Sequence, residues 1–459
     1  MPLCPPFAPL RENKRNDFCK LAPIMNYIAA TKQLMAALAC LVIVSSCSTT
    51  RKSASKVDGP PPSLSKPAPA KKPEETKTVA KAPFNVPAFA KEVKKSSYNI
   101  AFFAPLYLDS VFATSTEIPG RTMPRYVLPG LEFYEGAQIA FDSLKQLGYN
   151  LKVTVYDSKG KQSVSNLVRS KALDNTDLII GAVTNPEMKE LSDYAKNREV
   201  NFVSATFPND AGVTDNPFLF LSNSTLKTHL EALQDYVQNA FANKNIVLLR
   251  RNTAFESKLA ADFKSSYDKM QSSKKSRIRE LVWSDATTPE EISAILLTDR
   301  TNVLVVTALD EAGAKSLLRK LGTVAATYPI QVFGMPTWDV FKLKDPEFKG
   351  LQVYYSTPYF NEKTDAYSRY VNDVFRRTYK ARPSDMAYKG FENTFYFVKL
   401  LYNNGVYFNA KVADAQKVIS NYDFQPVYVK DGDEIPSYFE NKNIYIIQKG
   451  DSSDVKMNR

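Results

Sequence analysis

Few side chains in this 459-residue chain have the company needed for covalent chemistry. Its one histidine, His229, falls inside an expected helix. Metal sites built on histidine, Ser-His triads and histidine acid–base pairs therefore lack a second member. Gly-x-Ser-x-Gly, Walker-type and Gly-x-Gly-x-x-Gly spacings are all missing, and no pair of carboxylates is singled out by its spacing. These features predict a non-enzyme that needs no cofactor or metal. The four cysteines, Cys4, Cys19, Cys40 and Cys47, all precede residue 48, so the remainder has neither disulfide nor thiol chemistry. Cys47 stands apart, because an apolar run from Leu34 to Val44, with Lys32 ahead of it, leads through Ser45 and Ser46 to its thiol. That run is too short for a bilayer-crossing helix, which needs about 20 residues. It fits a secretory signal that ends in small residues.

Val44-Ser45-Ser46-Cys47 resembles the lipobox of bacterial lipoproteins. The resemblance implies that Cys47 is acylated and becomes the first residue of the mature protein. Residues 1–46 are then the signal peptide. Met25 has the better context as a start, which makes residues 1–24 a candidate upstream mis-start. More than one acyl chain gives stable anchoring, since each buried CH2 contributes roughly 0.8 kcal/mol. Ser-Thr-Thr-Arg-Lys after Cys47 lacks the acidic cluster of surface-exported lipoproteins. The expected location is the cell envelope, lipid-anchored and facing the periplasm, with the outer membrane favoured.

Charge separates tail from body. The chain carries a net +12, but residues 1–96 hold 16 basic and 6 acidic residues, leaving 44 and 42 for the rest. A nucleic-acid binder concentrates basic residues on its fold, so no nucleic-acid partner is expected. Residues 47–96 read as the lipidated cysteine and a disordered tether, with eight prolines between Pro60 and Pro87 among Lys, Ser and Ala. Extended, such a tether reaches on the order of 150 Å.

From residue 97 to 450, apolar strands alternate with amphipathic helices, and the pattern runs through twice. Examples are strand 98–104, helix 131–147 and strand 151–156, then helix 226–241, strand 245–249 and helix 255–270. Alternation of this kind predicts an α/β fold with parallel sheets covered on both faces, here as two lobes.

Five segments in order carry a resemblance to type 1 periplasmic binding proteins, in the leucine/isoleucine/valine-binding or receptor ligand-binding branch. They are Gly130 to Ala140, Val155 to Gly160, Asp177 to Asn185, Val203 to Pro208 with Pro217 to Phe220, and Arg382 to Asn393. The resemblance implies two Rossmann-like lobes joined by three crossovers, with ligand between them at the carboxyl ends of the strands. Copied onto this chain, lobe one takes 98–222 and 358–424, and lobe two takes 223–357 and 425–450. Residues 451–459 are left as a polar tail.

The same resemblance implies a ligand site. Thr184 and Asn185 match one lobe-one loop, and Ser204, Ala205 and Thr206 match the other, as neutral donors to a carboxylate. Thr184 and Ser204 also suit the caps of following helices or turns, and both readings stay open. Tyr107 joins lobe one's set, while lobe two offers Phe255, Asp310 and Trp338. Asp310 equally suits a helix cap. Lobe two lacks the family's aromatic–acid pair, since Leu309 and Met335-Pro336 stand there instead, so an ordinary amino-acid ligand is not assured.

Two functions follow. One is solute binding of a small polar ligand (an amino acid, peptide or wall fragment) with an ABC-type transporter permease as partner. The other is a scaffold on the same fold, because outer-membrane lipoproteins that activate peptidoglycan synthases contain such a domain. The long tether suits the second, and residues 108–129, with Asp109, Phe112, Arg121, Arg125 and Tyr126, would be its docking surface.

Overall fold

The computed structural model describes residues 93–113, 122–271, 275–343, 346–414, 416–430, 432–450 and 454–457. Cys47, the signal segment and the tether lie outside the described residues. Within them, no helix is long and apolar enough to cross a membrane.

Strands β1 (Tyr98–Ala104), β2 (Leu151–Asp157), β3 (Leu178–Gly181), β4 (Asn201–Ser204) and β5 (Leu219–Leu221) are parallel and lie in the order 2-1-3-4-5. The pattern repeats in β6 (Asn245–Arg251), β7 (Ile278–Trp283), β8 (Asn302–Val306), β9 (Ile330–Gly334) and β10 (Gln352–Thr357), ordered 7-6-8-9-10. Central strands such as β3, β4 and β8 are buried throughout, as sheets covered on both faces require. Helices α1 (Leu108–Val111), α2 (Leu128–Gln146), α3 (Val164–Arg169) and α4 (Asn185–Arg198) belong to the first lobe. Helices α5 (Leu226–Ala240), α6 (Ala254–Lys269), α7 (Pro289–Ser293) and α8 (Glu311–Val324) carry the second. The chain then returns to lobe one as α9 (Ala366–Tyr379) and α10 (Asp385–Asn404).

Helices α2 and α10 cross with almost no space between their backbones. A Cβ on Gly136 would lie 1.8 Å from the Ala387 carbonyl oxygen, and one on Gly390 would lie 1.9 Å from that of Phe133. Two glycines in distant motifs thus serve one contact.

The ends of the sheets correct the expected lobe boundaries. Strands β11 (Phe424–Val427) and β12 (Tyr438–Asn441) complete sheet one, with β12 parallel to β5 and β11 antiparallel to β12. Phe424 and Phe439 pack on Phe220, the latter stacked at 5.0 Å, so aromatic burial holds 424–441 in lobe one rather than lobe two. Lobe two resumes at β13 (Tyr445–Gln448) and gains β14 (Val455–Lys456), both antiparallel additions. Part of the expected polar tail is therefore sheet, and Asp454 accepts a 2.8 Å hydrogen bond from the Tyr355 hydroxyl.

The chain crosses between lobes after β5, after β10 and between β12 and β13. Side chains tie the first and third crossovers together. Glu440, buried, accepts from the Thr225 N–H at 2.7 Å and from Lys442 Nζ at 2.6 Å, and Lys442 also reaches the Thr228 hydroxyl. His229 meets the Ser356 hydroxyl at 2.9 Å, which ties α5 to the end of β10 within lobe two, just ahead of the second crossover.

Candidate functional site

A cleft of about 1020 Å³ opens between the lobes, bordered by both and floored by the crossovers. Its size suits a small-molecule site, typically about 300–1,000 Å³. From lobe one come Asn185, the loop Pro208–Gly212, Lys389 of α10 and Tyr438. The crossovers contribute Asn223, Ser224, Thr225 and Pro358, and the adjoining ends of α5 and β10 add Leu226, Lys227, His229 and Thr357. Lobe two contributes Phe255, Lys258, Leu259 and Asp262 from one face of α6, together with Leu309, Pro336, Thr337 and Asp339. The spacing 255, 258, 259, 262 is the i, i+3, i+4, i+7 stripe of a helix.

Two of the expected site residues, Asn185 and Phe255, line this cleft, and Phe255 is half exposed. The others do not line it. Thr184 is the N-cap of α4, where the Glu187 carboxylate accepts from its N–H at 2.6 Å and its hydroxyl at 2.7 Å. The capping reading holds, and that hydroxyl proton is already given away. Ser204 is fully buried at the end of β4, its hydroxyl without a partner. Ala205 is buried, and its N–H donates to the Gly181 carbonyl at 2.9 Å. Thr206 offers a carbonyl that accepts from Asn223 at 2.7 Å.

Asp310 is also a cap. It accepts from the Gly313 N–H at 2.7 Å and pairs with Arg251, which hold its carboxyl below the usual range against the opposing effect of burial. Trp338 is fully buried in the lobe-two core, and its indole N–H donates to the Ala308 carbonyl at 2.8 Å. Tyr107 adopts a left-handed backbone (φ 56°) ahead of α1 and packs edge-on against Tyr126. Asp157 holds that turn, accepting from the N–H groups of Leu106, Tyr107 and Leu108 at 2.8–3.1 Å.

The electrostatics of the cleft centre on two residues outside the expected ligand site, His229 and Lys389. His229 is buried, and desolvation pushes its pKa down to about 3, so at neutral pH it is an uncharged member of the floor. Lys389 is partly buried, its ammonium 4.8 Å from the centre of the Tyr359 ring. Burial lowers its pKa, against the opposing pull of Asp385, Asp339 and Glu392. Neither neighbour on its own helix neutralises it by contact. Asp385 pairs with Lys363 at 3.2 Å, and Glu392, driven up to about 7 by burial, accepts from Ile419 and Ser420. A lysine inside a helix that is otherwise buried over most of its surface was the available signal for this position.

Residues 128–423 match the family model described as periplasmic binding protein. No curated protein matches the chain. Among solved structures, it is similar to a putative branched-chain amino acid ABC transporter protein from Rhodospirillum rubrum, at 12% identity and TM-score 0.58. The match covers 79% of this chain and 100% of the other. A branched-chain amino acid transporter protein from Rhodopseudomonas palustris CGA009 matches at 12% identity and TM-score 0.52, over 78% and 94% of the two chains. A periplasmic ligand-binding protein of a branched-chain amino acid ABC transporter from Burkholderia xenovorans LB400 matches at 14% identity and TM-score 0.50, over 79% and 94%.

Proposed function

The chain belongs to the periplasmic binding protein family, and from that premise we propose that it is a lipid-anchored solute-binding protein of the cell envelope. It holds a small polar ligand between its lobes and presents it to an ABC-type transporter permease, without chemical change to the ligand. The observation that carries this reading is the composition of the cleft. Both lobes and the crossovers contribute polar groups to one cavity, so a ligand touching both sides favours the closed form. The transporter is taken from the names of the similar solved structures, and the anchor from the Cys47 motif.

Titration calorimetry and thermal unfolding against amino acids, short peptides and wall fragments test the reading. A saturable single site that raises the melting temperature is expected. Failure of every class to bind would count against it.

A second reading, a scaffold for a protein partner such as a peptidoglycan synthase, has one observation in its favour. Leu108, Phe112 and Val155 are exposed in the lining of an apolar hollow of about 360 Å³ beside the edge strand β2. Crosslinking in cells separates the two, since recovery of a synthase supports the scaffold and recovery of a permease supports transport.

A further inference from the structure

We propose that the anionic group of the ligand is read by Lys389 of lobe one, with Asp339 of lobe two facing the ligand's cationic group, so that the cleft selects a small zwitterion held across the lobes. This rests on the solute-binding reading and deepens it by naming the subsite. It departs from the site that the motifs imply, in which the loops after β3 and β4 hold a carboxylate.

Those loops have little left to donate. The Thr184 hydroxyl and N–H both go to Glu187, the Ala205 N–H goes to Gly181, and Ser204 is sealed beneath the surface. Of that set, only Asn185 borders the cavity.

Three lysines do border it: Lys227, Lys258 and Lys389. Lys227 and Lys258 are exposed and solvated, whereas Lys389 is partly buried and rests on Tyr359. Its ammonium makes no hydrogen bond or ion pair among the described residues. Asp385, Asp339 and Glu392 act on this partly buried ammonium only from beyond contact, so it keeps a desolvation cost that an anion seated beside it recovers. The ring beneath restricts the side chain before the ligand arrives, which limits the entropy lost on binding.

Asp339 borders the same cavity from lobe two, exposed in the short helical turn after β9, and its place opposite Lys389, rather than burial, fits it to this role. Its carboxylate makes no ion pair among the described residues; the contact to Lys449 is through the Asp339 carbonyl oxygen. The cleft acid of lobe one, Asp210, is already engaged by the Tyr438 hydroxyl and the Gly212 N–H. Asp262 remains on α6, four residues from Lys258, on the same helical face. A ligand carrying both charges would bridge Lys389 and Asp339 and so bridge the lobes.

The experiment titrates the full chain with the twenty amino acids and, for each that binds, with its α-amide and with its deaminated carboxylic acid. The amide keeps the ammonium and removes the anion. Lys389→Met, Lys389→Arg and Asp339→Asn are titrated with the same compounds, and their melting temperatures are recorded. At least a tenfold loss of affinity is expected for the amide and for Lys389→Met, with partial recovery in Lys389→Arg. Asp339→Asn should weaken the amino acid but not its deaminated carboxylic acid. Unchanged binding to Lys389→Met, or equal affinity for acid and amide, overturns the subsite and leaves the solute-binding reading intact. The acid–amide comparison on the unmodified chain decides even where a variant fails to fold. Absence of binding by every amino acid overturns the zwitterion subsite, and the reading itself falls only if peptides and wall fragments also fail.

Discussion

At the residue scale, polar side chains here divide between those that hold the fold and those that face the cleft. Thr184 belongs to the first group. Its replacement by alanine removes a capping interaction, and we expect about 1 kcal/mol of lost stability by urea unfolding, with ligand affinity unchanged. Two buried titratable groups shape the pH profile with opposite signs. His229 has its folded pKa depressed to about 3. Its destabilising effect therefore begins as pH falls below the unfolded value near 6.5 and grows until about 3, because only the unfolded chain takes up the proton. Glu392 has its folded pKa raised to about 7. Its contribution is fully present below about 4.5 and is lost as pH rises through 7, because the folded chain keeps the proton longer. Glu392→Gln should flatten the decline between pH 4.5 and 7 in a urea series, and His229→Gln should flatten the acid limb. A profile unaltered by either change would contradict the burial assigned to that group.

At the scale of elements, the crossing of α2 and α10 sets the position of Lys389. Gly136→Ala or Gly390→Ala forces two backbones apart, and overpacking of this kind costs about 1–3 kcal/mol. A lowered melting temperature and weaker ligand binding together are expected from either, since Lys389 precedes Gly390 directly. The repeated α/β pattern was legible in the sequence because 3.6- and 2-residue periodicities survive wherever one face is buried. The glycine pair was visible as two motifs, although nothing in one sequence told that they touch. Strands β11 to β14 escaped notice because they are only two to four residues long and are placed by distant partners such as Phe220. The ligand-site residues fared worse for a related reason. A hydroxyl in a loop reads the same whether it caps a helix, as Thr184 does, or faces a ligand. Of the expected residues, Asn185 and Phe255 border the cleft, while the bordering of Lys258, Asp339 and Lys389 depends on how two lobes meet across it.

At the scale of the whole molecule, Glu440, Lys442 and Thr225 join the first and third of the three crossovers, which gives the hinge a polar tie between two of its segments. The proposed tether and anchor are expected to act independently of it. Cys47→Ser should abolish incorporated palmitate and release the chain from membranes, while leaving ligand affinity as it was. Labelling that persists in this variant would refute the lipidation. The central claim is that the lobes close on a small ligand. Its most direct measurement is the distance between labels on Glu190→Cys of α4 and Ser265→Cys of α6, followed during titration with amino acids. The account predicts that at least one ligand shortens this distance in a saturable, single-site manner, and that Lys389→Met shifts the midpoint to at least tenfold higher concentration. A ligand that binds with full affinity while the distance stays constant would contradict it.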